Sequence, residues 1–286
     1  MQDNLKYCLR KKDAVQWLTF PKLNQYPELE HGFTTRHGGV STGEKTSWNF
    51  GKGPDETWVN IFKNYQILAE VLGTEPEKMV RTDQTHTATV LVVGPEHLGM
   101  GITRERAYTD VDGLVTACRD ITLVTSHADC NALFFYDPKQ KVIGLAHSGW
   151  RGTLKEISRE MVKKMVGELG AREEDILVGI GPALCQDCFE VDEDVAELFY
   201  TKNENWKMHS YQRQVEGVNK HYLNLKAILR DTLESEGVPS ENIFDMELCS
   251  RCHPELFYSY RRQKGLNGNM VSAMRMKPWT EPWTED

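Results

Sequence analysis

The feature that most constrains the fold is a predicted β-hairpin whose two ends carry a cysteine and a histidine. Residues 132–136 and 142–146 form two apolar runs with aromatic or β-branched side chains, and the turn sequence DPKQ lies between them. Such runs on either side of a turn are typical of paired strands. Pairing would bring Cys130 and His147 together although the whole hairpin separates them in sequence. The hairpin therefore predicts a site at its open end.

A third candidate ligand, His86 in the motif DQTH, comes from an earlier strand end. Cys130 lies in HADC and His147 lies in AHSGWRG. Ligands from three segments are typical of a catalytic site built on a rigid sheet. One Cys and two His form a ligand set for zinc that leaves one coordination position open for water or substrate. Each residue alone could be an isolated buried side chain, but together they predict a catalytic metal site.

Charge and composition exclude several classes of protein. The formal net charge is -8 and the pI is near 5.7, which argues against a nucleic-acid or anionic membrane partner, although a local basic pocket stays possible. No apolar run approaches the roughly 20 residues that span a bilayer. The polar N-terminal sequence lacks the apolar segment of a secretion signal, so we expect a cytoplasmic location. The seven Cys are then expected to be thiols or metal ligands.

The order of predicted elements indicates an α+β fold with layered, mixed β-sheets flanked by helices. Strands are predicted at 89–93, 121–126 and 176–180, next to the hairpin. Helices are predicted over VNIFKNYQILAEVLG, along the face of Leu154, Ile157, Met161 and Met165, and after a cap at Asn224. Runs of strands stand together between helices, which disfavours a doubly wound sheet. We expect one domain over 1–286, with a core at about 17–278 and an extended tail, PWTEPWTED.

Four further polar residues are candidates for binding an anion or a substrate. Arg36 in TTRHGG and Asn49 in WNFG stand beside glycines, which let a backbone approach a ligand closely. Arg151 lies in the Gly-rich turn after His147, where a helix N-terminus could bind an anion. Arg261 is predicted to lie on a strand with Arg262, so that one of the two faces a pocket. The alternatives are a surface arginine, an ordinary glycine turn and a solvated strand.

Two CxxC pairs form a separate pattern. Cys185 and Cys188 make the first pair, and Cys249 and Cys252 make the second. Two such pairs can form a structural Cys₄ zinc site, although the interval between them is longer than in a compact zinc ribbon. Four reduced thiols are the alternative, and the sequence leaves both open.

Several catalytic motifs are absent. The chain has no G-x-G-x-x-G, no Walker A loop and no G-x-S-x-G elbow. The H-x-E and P-C-x-x-C pattern of zinc deaminase domains is also missing. These absences argue against the common nucleotide-phosphate, α/β-hydrolase and nucleic-acid-editing folds.

The motifs together resemble the YfiH/YlmD family of bacterial proteins, whose mammalian relative is FAMIN, or laccase domain-containing protein 1. The resemblance runs from about Phe33 to Met276. It rests on the motifs TTRHGGVSTG, WNFG, DQTHTATV, DGLVT, HADCNALFFYDP, GLAHSGWRGTL, GIGP, FEV, LNLK and FYSYRR. The family's fold has two sheets between helices, in agreement with the layered α+β prediction. This chain departs from many relatives in having AHSG for AHAG and Asn269 where they have Arg, which puts a role for that position in doubt.

The resemblance implies a purine nucleoside enzyme. Family members are described as cleaving adenosine, inosine, guanosine and methylthioadenosine with phosphate, and as deaminating adenosine. The family's metal ligands correspond to His86, Cys130 and His147, and its RHGG arginine corresponds to Arg36, a phosphate or substrate contact. The resemblance does not imply a metal at the CxxC pairs.

A zinc site suggests two reactions and leaves three rival functions. A zinc-activated hydroxide could attack C6 of adenine, and an anion held by Arg36 and the turn at Trp150 could stabilise an oxocarbenium-like state.

The first rival is a Cys–His hydrolase or deamidase with Cys130 as nucleophile and His147 as base. The second, a copper polyphenol oxidase, is disfavoured because the nine His include no H-x-H pair. The third is a non-catalytic metal or redox-sensing protein. The choice between zinc and copper stays open.

Overall fold

Two six-stranded mixed sheets face each other through the core. The computed structural model describes residues 5–53, 56–266 and 268–278. In chain order its strands are β1 (Cys8–Lys12), β2 (Val15–Thr19), β3 (Leu29–Thr34), β4 (Met79–Arg81), β5 (Val90–Val92), β6 (Gly113–Thr116), β7 (Thr122–His127), β8 (Asn131–Asp137), β9 (Val142–Ser148), β10 (Leu177–Ile180), β11 (Glu190–Val191), β12 (Ser210–Val215), β13 (Val218–Leu223), β14 (Ile243–Asp245) and β15 (Met270–Met276). The first sheet has the order β1-β2-β3-β15-β7-β4, the second β14-β10-β8-β9-β6-β5, and a small third sheet β11-β13-β12.

The described residues also form six α-helices. They are α1 (Trp58–Leu72), α2 (Trp150–Leu154), α3 (Ile157–Leu169), α4 (Glu193–Lys202), α5 (Leu225–Ser235) and α6 (Tyr260–Gln263). The buried face of α1 packs on the first sheet, and those of α3 and α5 pack on the second. The layers are therefore helix, sheet, sheet, helix, which confirms the predicted α+β class with layered, mixed sheets. Among the described residues, no helix has both the length and the apolar character that crossing a bilayer requires.

The main core lies between the two sheets. Phe33 of β3 and Leu123 of β7 point inward from the first sheet, and Phe134 of β8 and Leu145 of β9 point inward from the second. Each of these side chains is fully buried, and such burial stabilises a fold by about 1.5–3 kcal/mol per side chain. Because the second sheet is covered on both faces, β8 carries an uninterrupted apolar run.

The predicted hairpin is present and positions the site. In the pairing of β8 with β9, Asn131 lies opposite Ser148 and Ala132 lies opposite His147. Only residues 128–130 join β7, in the first sheet, to β8, in the second. Cys130 is the last residue of this link, so it lies where the edges of the two sheets meet.

The predicted helix end at Gly73 and the predicted cap at Asn224 are also present. Thr57 accepts a hydrogen bond from the Asn60 N–H at the start of α1, and Gly73 ends that helix with φ of 63°. The Asn224 side chain accepts from the Ala227 N–H at the start of α5. The predicted strands at 89–93, 121–126 and 176–180 correspond to β5, β7 and β10.

Two element predictions are wrong. The helical face beginning at Leu154 is broken, because Glu156 has φ of 60° and separates α2 from α3. Its buried carboxylate pairs with Arg159 at 3.2 Å and with Lys202 at 2.8 Å, which holds this break. The strand predicted at FYSYRR is the short helix α6 instead, because Ser259 accepts from the Arg262 N–H as a helix cap. The PWTEPWTED tail lies, beyond Pro278, outside the described residues.

Candidate active site

The structure brings the three candidate metal ligands together. His86 lies on the loop between β4 and β5, Cys130 on the link before β8, and His147 near the end of β9. Each residue offers one potential ligand atom, and these three atoms all lie within 4.8 Å of one another. The two imidazole rings meet edge to face with their centroids 5.0 Å apart. The open end of the hairpin therefore presents one sulfur and two nitrogens to a common point.

Gly149 keeps the space between these ligands open. A Cβ at this position would lie 2.5 Å from His86 Nδ1 and 3.0 Å from Cys130 Sγ. His86 Nδ1 is buried and has no hydrogen-bond partner. A buried nitrogen without a partner is costly unless something satisfies it. A metal ion bound between His86 and Cys130 would satisfy it.

Asp112 organises both histidines from behind. Its carboxylate accepts from His147 Nδ1 at 2.8 Å, and from the Thr87 N–H at 2.8 Å and the Thr85 N–H at 3.2 Å. The first bond fixes the tautomer and orientation of His147, and the other two hold the loop that carries His86. Burial by itself raises the pKa of Asp112, but the bonds from His147 and Thr87 outweigh it and lower that pKa. Asp112 therefore lies where metal-ligating histidines commonly have an outer carboxylate.

The electrostatics of His147 depend on Cys130 and Asp112. Burial lowers the pKa of His147, but Cys130 and the Asp112 carboxylate outweigh burial and raise that pKa to about 9. The surroundings of His147 therefore favour its protonated form when no metal is bound. A bound metal must displace that proton, because a ligating imidazole is neutral.

His127 supports the link that carries Cys130. Its Nε2 lies 2.9 Å from Ser272 Oγ and 2.8 Å from Thr125 Oγ1, and its Nδ1 lies 3.3 Å from the Cys130 carbonyl oxygen. Burial and then the charge of His147 hold the pKa of His127 well below its ordinary value. His127 is thus a neutral, buried positioning residue that joins β7 and β15 to Cys130.

The donor set of the triad fits zinc. Zinc takes thiolate and imidazole ligands in a tetrahedral site and keeps one open position when it is catalytic. His86 through Nδ1, Cys130 through Sγ and His147 through Nε2 would hold the ion, because His147 Nδ1 is used by Asp112. All three residues line the cleft.

The triad opens into a cleft of about 820 Å³ that is rich in positive charge. Among the described residues, five cationic side chains line it against two carboxylates, although the whole chain is acidic. The cations are Lys52, Arg81, Arg106, Arg151 and Arg261, and the carboxylates are Asp83 and Asp129. The cleft therefore favours an anionic ligand beside the metal ligands.

Arg81 and Arg106 are two neighbouring cations of the cleft. Burial and then the positive charge of Arg81 lower the pKa of Arg106. Asp83 lies 3.4 Å from the Arg106 guanidinium, and Arg81 donates to Ser126 Oγ at 3.0 Å. Arg81 Nε is buried without a partner. Two neighbouring guanidiniums, of which one lies near a carboxylate, can accept a further anion.

The four predicted anion and substrate residues divide into two groups. Arg151 and Arg261 line the cleft. Arg36 does not line it, since its guanidinium donates to the carbonyls of Thr46 and Pro254 and stacks on the ring of Tyr258. The buried Asn49 does not line it either.

Asn49 instead shapes the cleft wall through its neighbours. It donates to the Gly51 carbonyl at 2.8 Å and accepts from the N–H groups of Gly51 and Asn269, each at 2.8 Å. Both Gly51 and Asn269 line the cleft. The role of Asn49 in the structure is therefore to hold two wall segments together.

Sequence reasoning missed Arg81, Arg106, Asp112 and His127. Three of them had a local signal: Arg81 precedes DQTH in RTDQTH, Asp112 opens DGLVT, and His127 opens HADC. Arg106 had none, because it lies in the loop segment RERAYTD and reaches the cleft only through the tertiary fold.

Comparisons with known proteins agree with one another. A family model described as multi-copper polyphenol oxidoreductase laccase matches residues 30–277. The purine nucleoside phosphorylase YlmD of Bacillus subtilis (strain 168) is 35% identical over 251 residues, 87% of this chain and 89% of the relative. The purine nucleoside phosphorylase LACC1 of Mus musculus is 33% identical over 256 residues, 86% of this chain and 55% of the relative. The crystal structure of the Bacillus licheniformis hypothetical protein YfiH superposes with a TM-score of 0.84 at 30% identity, covering 94% of this chain and 99% of that one.

Proposed function

This chain belongs to the YfiH/YlmD family, described as multi-copper polyphenol oxidoreductase laccases, and from that membership we propose that it is a metal-dependent purine nucleoside phosphorylase. The proposed substrates are adenosine, inosine, guanosine and methylthioadenosine, with inorganic phosphate as the second substrate. The products would be the free base and the pentose 1-phosphate. Adenosine deamination is a second proposed activity of the same cleft.

The observation that carries the proposal is the cationic cleft beside the triad. Phosphorolysis needs an anionic nucleophile held next to a nucleoside, and this acidic chain collects five cationic side chains in one cleft. Nucleic acid and anionic membranes stay disfavoured as partners, because the positive charge is enclosed in the cleft of a chain with a net charge of -8. A cytoplasmic location also stays a prediction.

The cleft residues can be assigned to the steps of phosphorolysis. A phosphate oxygen attacks C1′ of the ribose, the bond from C1′ to N9 of the base breaks, and the base takes a proton as it leaves. Arg81 and Arg106 would hold the phosphate, and the negative charge of that phosphate would stabilise the oxocarbenium-like state as it forms. The aromatic rings of Trp150, Phe189 and Tyr260 line the cleft and offer surfaces on which a purine can stack.

Zinc is the proposed metal, with copper as the alternative. Bound by His86, Cys130 and His147, it would supply a Lewis acid and an activated water for attack at C6 of adenine. Among the protein groups, Asp112 keeps His147 in its ligating tautomer and Arg151 adds positive charge next to the triad. Arg36 stays a predicted substrate contact, although its guanidinium is occupied by backbone carbonyls in this structure.

Turnover of nucleosides by metal-quantified protein tests the proposal. Adenosine, inosine and guanosine are each incubated with and without phosphate, and the products are separated by chromatography. We expect base and ribose 1-phosphate only with phosphate, inosine from adenosine without phosphate, and loss of both activities in Cys130→Ala. A folded, metal-loaded protein that makes none of these products would overturn the assignment.

Arg106 separates phosphate binding from general damage to the cleft. We expect Arg106→Gln to raise KM for phosphate at least tenfold while KM for the nucleoside changes less, because the guanidinium is proposed to contact the anion. Arg104→Gln is the matched control, since Arg104 is exposed two positions away and does not line the cleft. Equal phosphate KM values in the two variants would remove Arg106 from the phosphate site.

A Cys–His hydrolase is the second candidate, and one observation favours it. Cys130 and His147 lie side by side, and the interaction with Cys130 helps to raise the pKa of His147 to about 9, as in a nucleophile and base pair. Zinc that blocks alkylation of Cys130 during turnover would support the metal site. An acyl adduct on Cys130, trapped with an ester or amide substrate and found by mass spectrometry, would support the hydrolase.

The family description names a copper polyphenol oxidase, which is the third candidate. Among the described residues, the groups able to hold a metal are the triad and a cluster of four cysteines, whereas multicopper oxidases use many histidines. We expect no oxygen consumption with a phenol by the copper-loaded protein. Sustained oxygen uptake that is lost in Cys130→Ala would favour the oxidase.

A further inference from the structure

Four cysteine side chains converge outside the cleft lining. Cys185 and Cys188 lie at a turn before β11, and Cys249 and Cys252 lie on the loop after β14. Their four Sγ atoms all lie within 4.8 Å of one another, and Cys188 Sγ lies 3.5 Å from Cys252 Sγ. None of the four lines the cleft. The cluster is therefore a separate group of soft ligands.

Backbone contacts hold the two cysteine-bearing segments in register. Ala183 forms a parallel bridge with Cys249, and the Ser250 N–H donates to the Ala183 carbonyl at 3.0 Å. The Cys185 N–H donates to Cys249 Sγ at 3.3 Å. A bond of this kind stabilises negative charge on a sulfur. The backbone thus places the four sulfurs around one point and prepares at least one of them to be a thiolate.

The spacing of the sulfurs suits a tetrahedral ion. Zinc–sulfur bonds of about 2.3 Å place the sulfurs of a tetrahedral site roughly 3.8 Å apart. A disulfide requires about 2.05 Å, and all four cysteines are free. Small movements of the side chains would bring them onto a shared cation.

We propose that Cys185, Cys188, Cys249 and Cys252 bind one zinc ion in a tetrahedral S₄ site. Four protein ligands fill the coordination shell and leave no position for substrate, so the site is structural. It joins the segment at 183–188 to the loop at 248–252, which lie far apart in sequence.

The proposed zinc would hold one wall of the cleft. Leu184 and Phe189 flank the first cysteine pair and line the cleft. The Leu184 N–H donates to the Asp129 carbonyl at 3.0 Å, and Ser250 Oγ donates to Asp129 Oδ1 at 2.6 Å. Asp129 directly precedes Cys130. The S₄ site therefore fixes the wall against the link that carries the triad cysteine.

Metal counting in the full chain tests the proposal. We expect two zinc ions per chain in the wild type, one in Cys130→Ala and one in the double variant Cys188→Ser/Cys252→Ser. The double variant Cys8→Ser/Cys118→Ser is the matched control and should keep two, because Cys8 and Cys118 lie outside both metal-ligand groups. One ion in the wild type that disappears in Cys130→Ala would overturn the proposal.

A second measurement holds even if the double cysteine variant fails to fold. Cobalt bound to Cys130→Ala should give an intense absorption from sulfur-to-cobalt charge transfer, and zinc should displace it. In zinc-loaded protein, the four cysteines should be alkylated at least tenfold more slowly than Cys8. The proposed zinc site would be overturned by any one of four results. These are no charge-transfer absorption, alkylation of the four cysteines at the rate of Cys8, iron in place of zinc, or a Cys188–Cys252 disulfide. A zinc ion in Cys130→Ala together with no nucleoside turnover in the wild type would leave this site standing and remove only the proposed function.

Discussion

At the residue scale, Asp112 connects the two histidines of the triad. It accepts from the His147 side chain and from the backbone N–H groups of Thr85, His86 and Thr87. One carboxylate therefore controls both the orientation of a ligand and the path of a loop. The three ligands are visible in the sequence, but this shared support is not, because it joins positions brought together only by the fold.

Replacing Asp112 should weaken metal binding without removing a ligand. In Asp112→Asn the amide keeps the size of the side chain but loses its charge, so we expect the metal dissociation constant to rise about 10–100-fold. Competition with a chelator of known affinity measures it. Asp110→Asn is the control, since Asp110 is exposed and binds Thr85 Oγ1 of the same loop at 2.6 Å. Equal affinities in the two variants would contradict this role.

Gly149 should tolerate no side chain. In Gly149→Ala the new Cβ would meet His86 Nδ1 at 2.5 Å and Cys130 Sγ at 3.0 Å, so we expect at least tenfold weaker metal binding. Gly167→Ala in α3 is the control, because a Cβ there meets no atom within 4 Å. That change should keep full occupancy and stabilise the helix by about 0.5–1 kcal/mol. Full metal occupancy in Gly149→Ala would show that the ligands are further apart in solution.

At the element scale, capping side chains nearby in sequence set the positions where helices begin, whereas an interruption within a helix depends on distant residues. The cap of α5 was predicted because the Asn224 side chain bonds to an N–H group within the same turn, and Thr57 caps α1 in the same way. The break at Glu156 depends on Lys202 of α4, which is distant in sequence. Local chemistry therefore determines where these helices begin, and packing decides where one of them is interrupted.

The cap of α5 should contribute measurably to stability. We expect Asn224→Ala to lower the free energy of unfolding by about 1 kcal/mol, because the Ala227 N–H loses its acceptor at 3.1 Å. Asn224→Asp should keep most of the free energy of unfolding that the cap contributes, since aspartate caps a helix as well as asparagine does. Denaturant unfolding of the three proteins measures the difference. Equal losses in the Ala and Asp variants would show that the side chain acts by packing instead.

At the scale of the whole molecule, Glu28 joins the β3 end of the first sheet to the hairpin of the second. Its carboxylate accepts from Tyr136 Oη at 2.7 Å and from Lys141 Nζ at 2.5 Å. Burial raises the pKa of Glu28, but the bonds from Lys141 and Tyr136 outweigh burial and lower it from 4.5 to about 2. Because the folded pKa is the lower one, the ionised form stabilises the fold at pH values above 4.5.

Acid should remove this contribution. The stabilisation by Glu28 is fully present above about pH 5 and is lost as the pH falls from 4.5 towards 2. We therefore expect Glu28→Gln to be less stable than the wild type at pH 7 and the difference to shrink towards pH 2. Lys141→Gln should show the same trend, because it removes the other half of the pair. A difference in unfolding free energy that stays constant between pH 7 and pH 2 would contradict this assignment.

The sequence by itself determined the hairpin, the helix cap at Asn224, the layered α+β class and the three residues of the triad that the fold brings together. These follow from periodicity, turn residues and ligand chemistry, which act over a few neighbouring positions or are properties of the side chain. Only the tertiary structure decided which arginines enter the cleft. Arg36 is held by the distant Pro254 carbonyl, whereas Arg106 is brought beside Arg81 by its bond to the Arg81 carbonyl. The physical reason is that acceptors from segments distant in sequence fix the position of a long cationic side chain. The order of residues in the sequence does not show which segments the fold brings together.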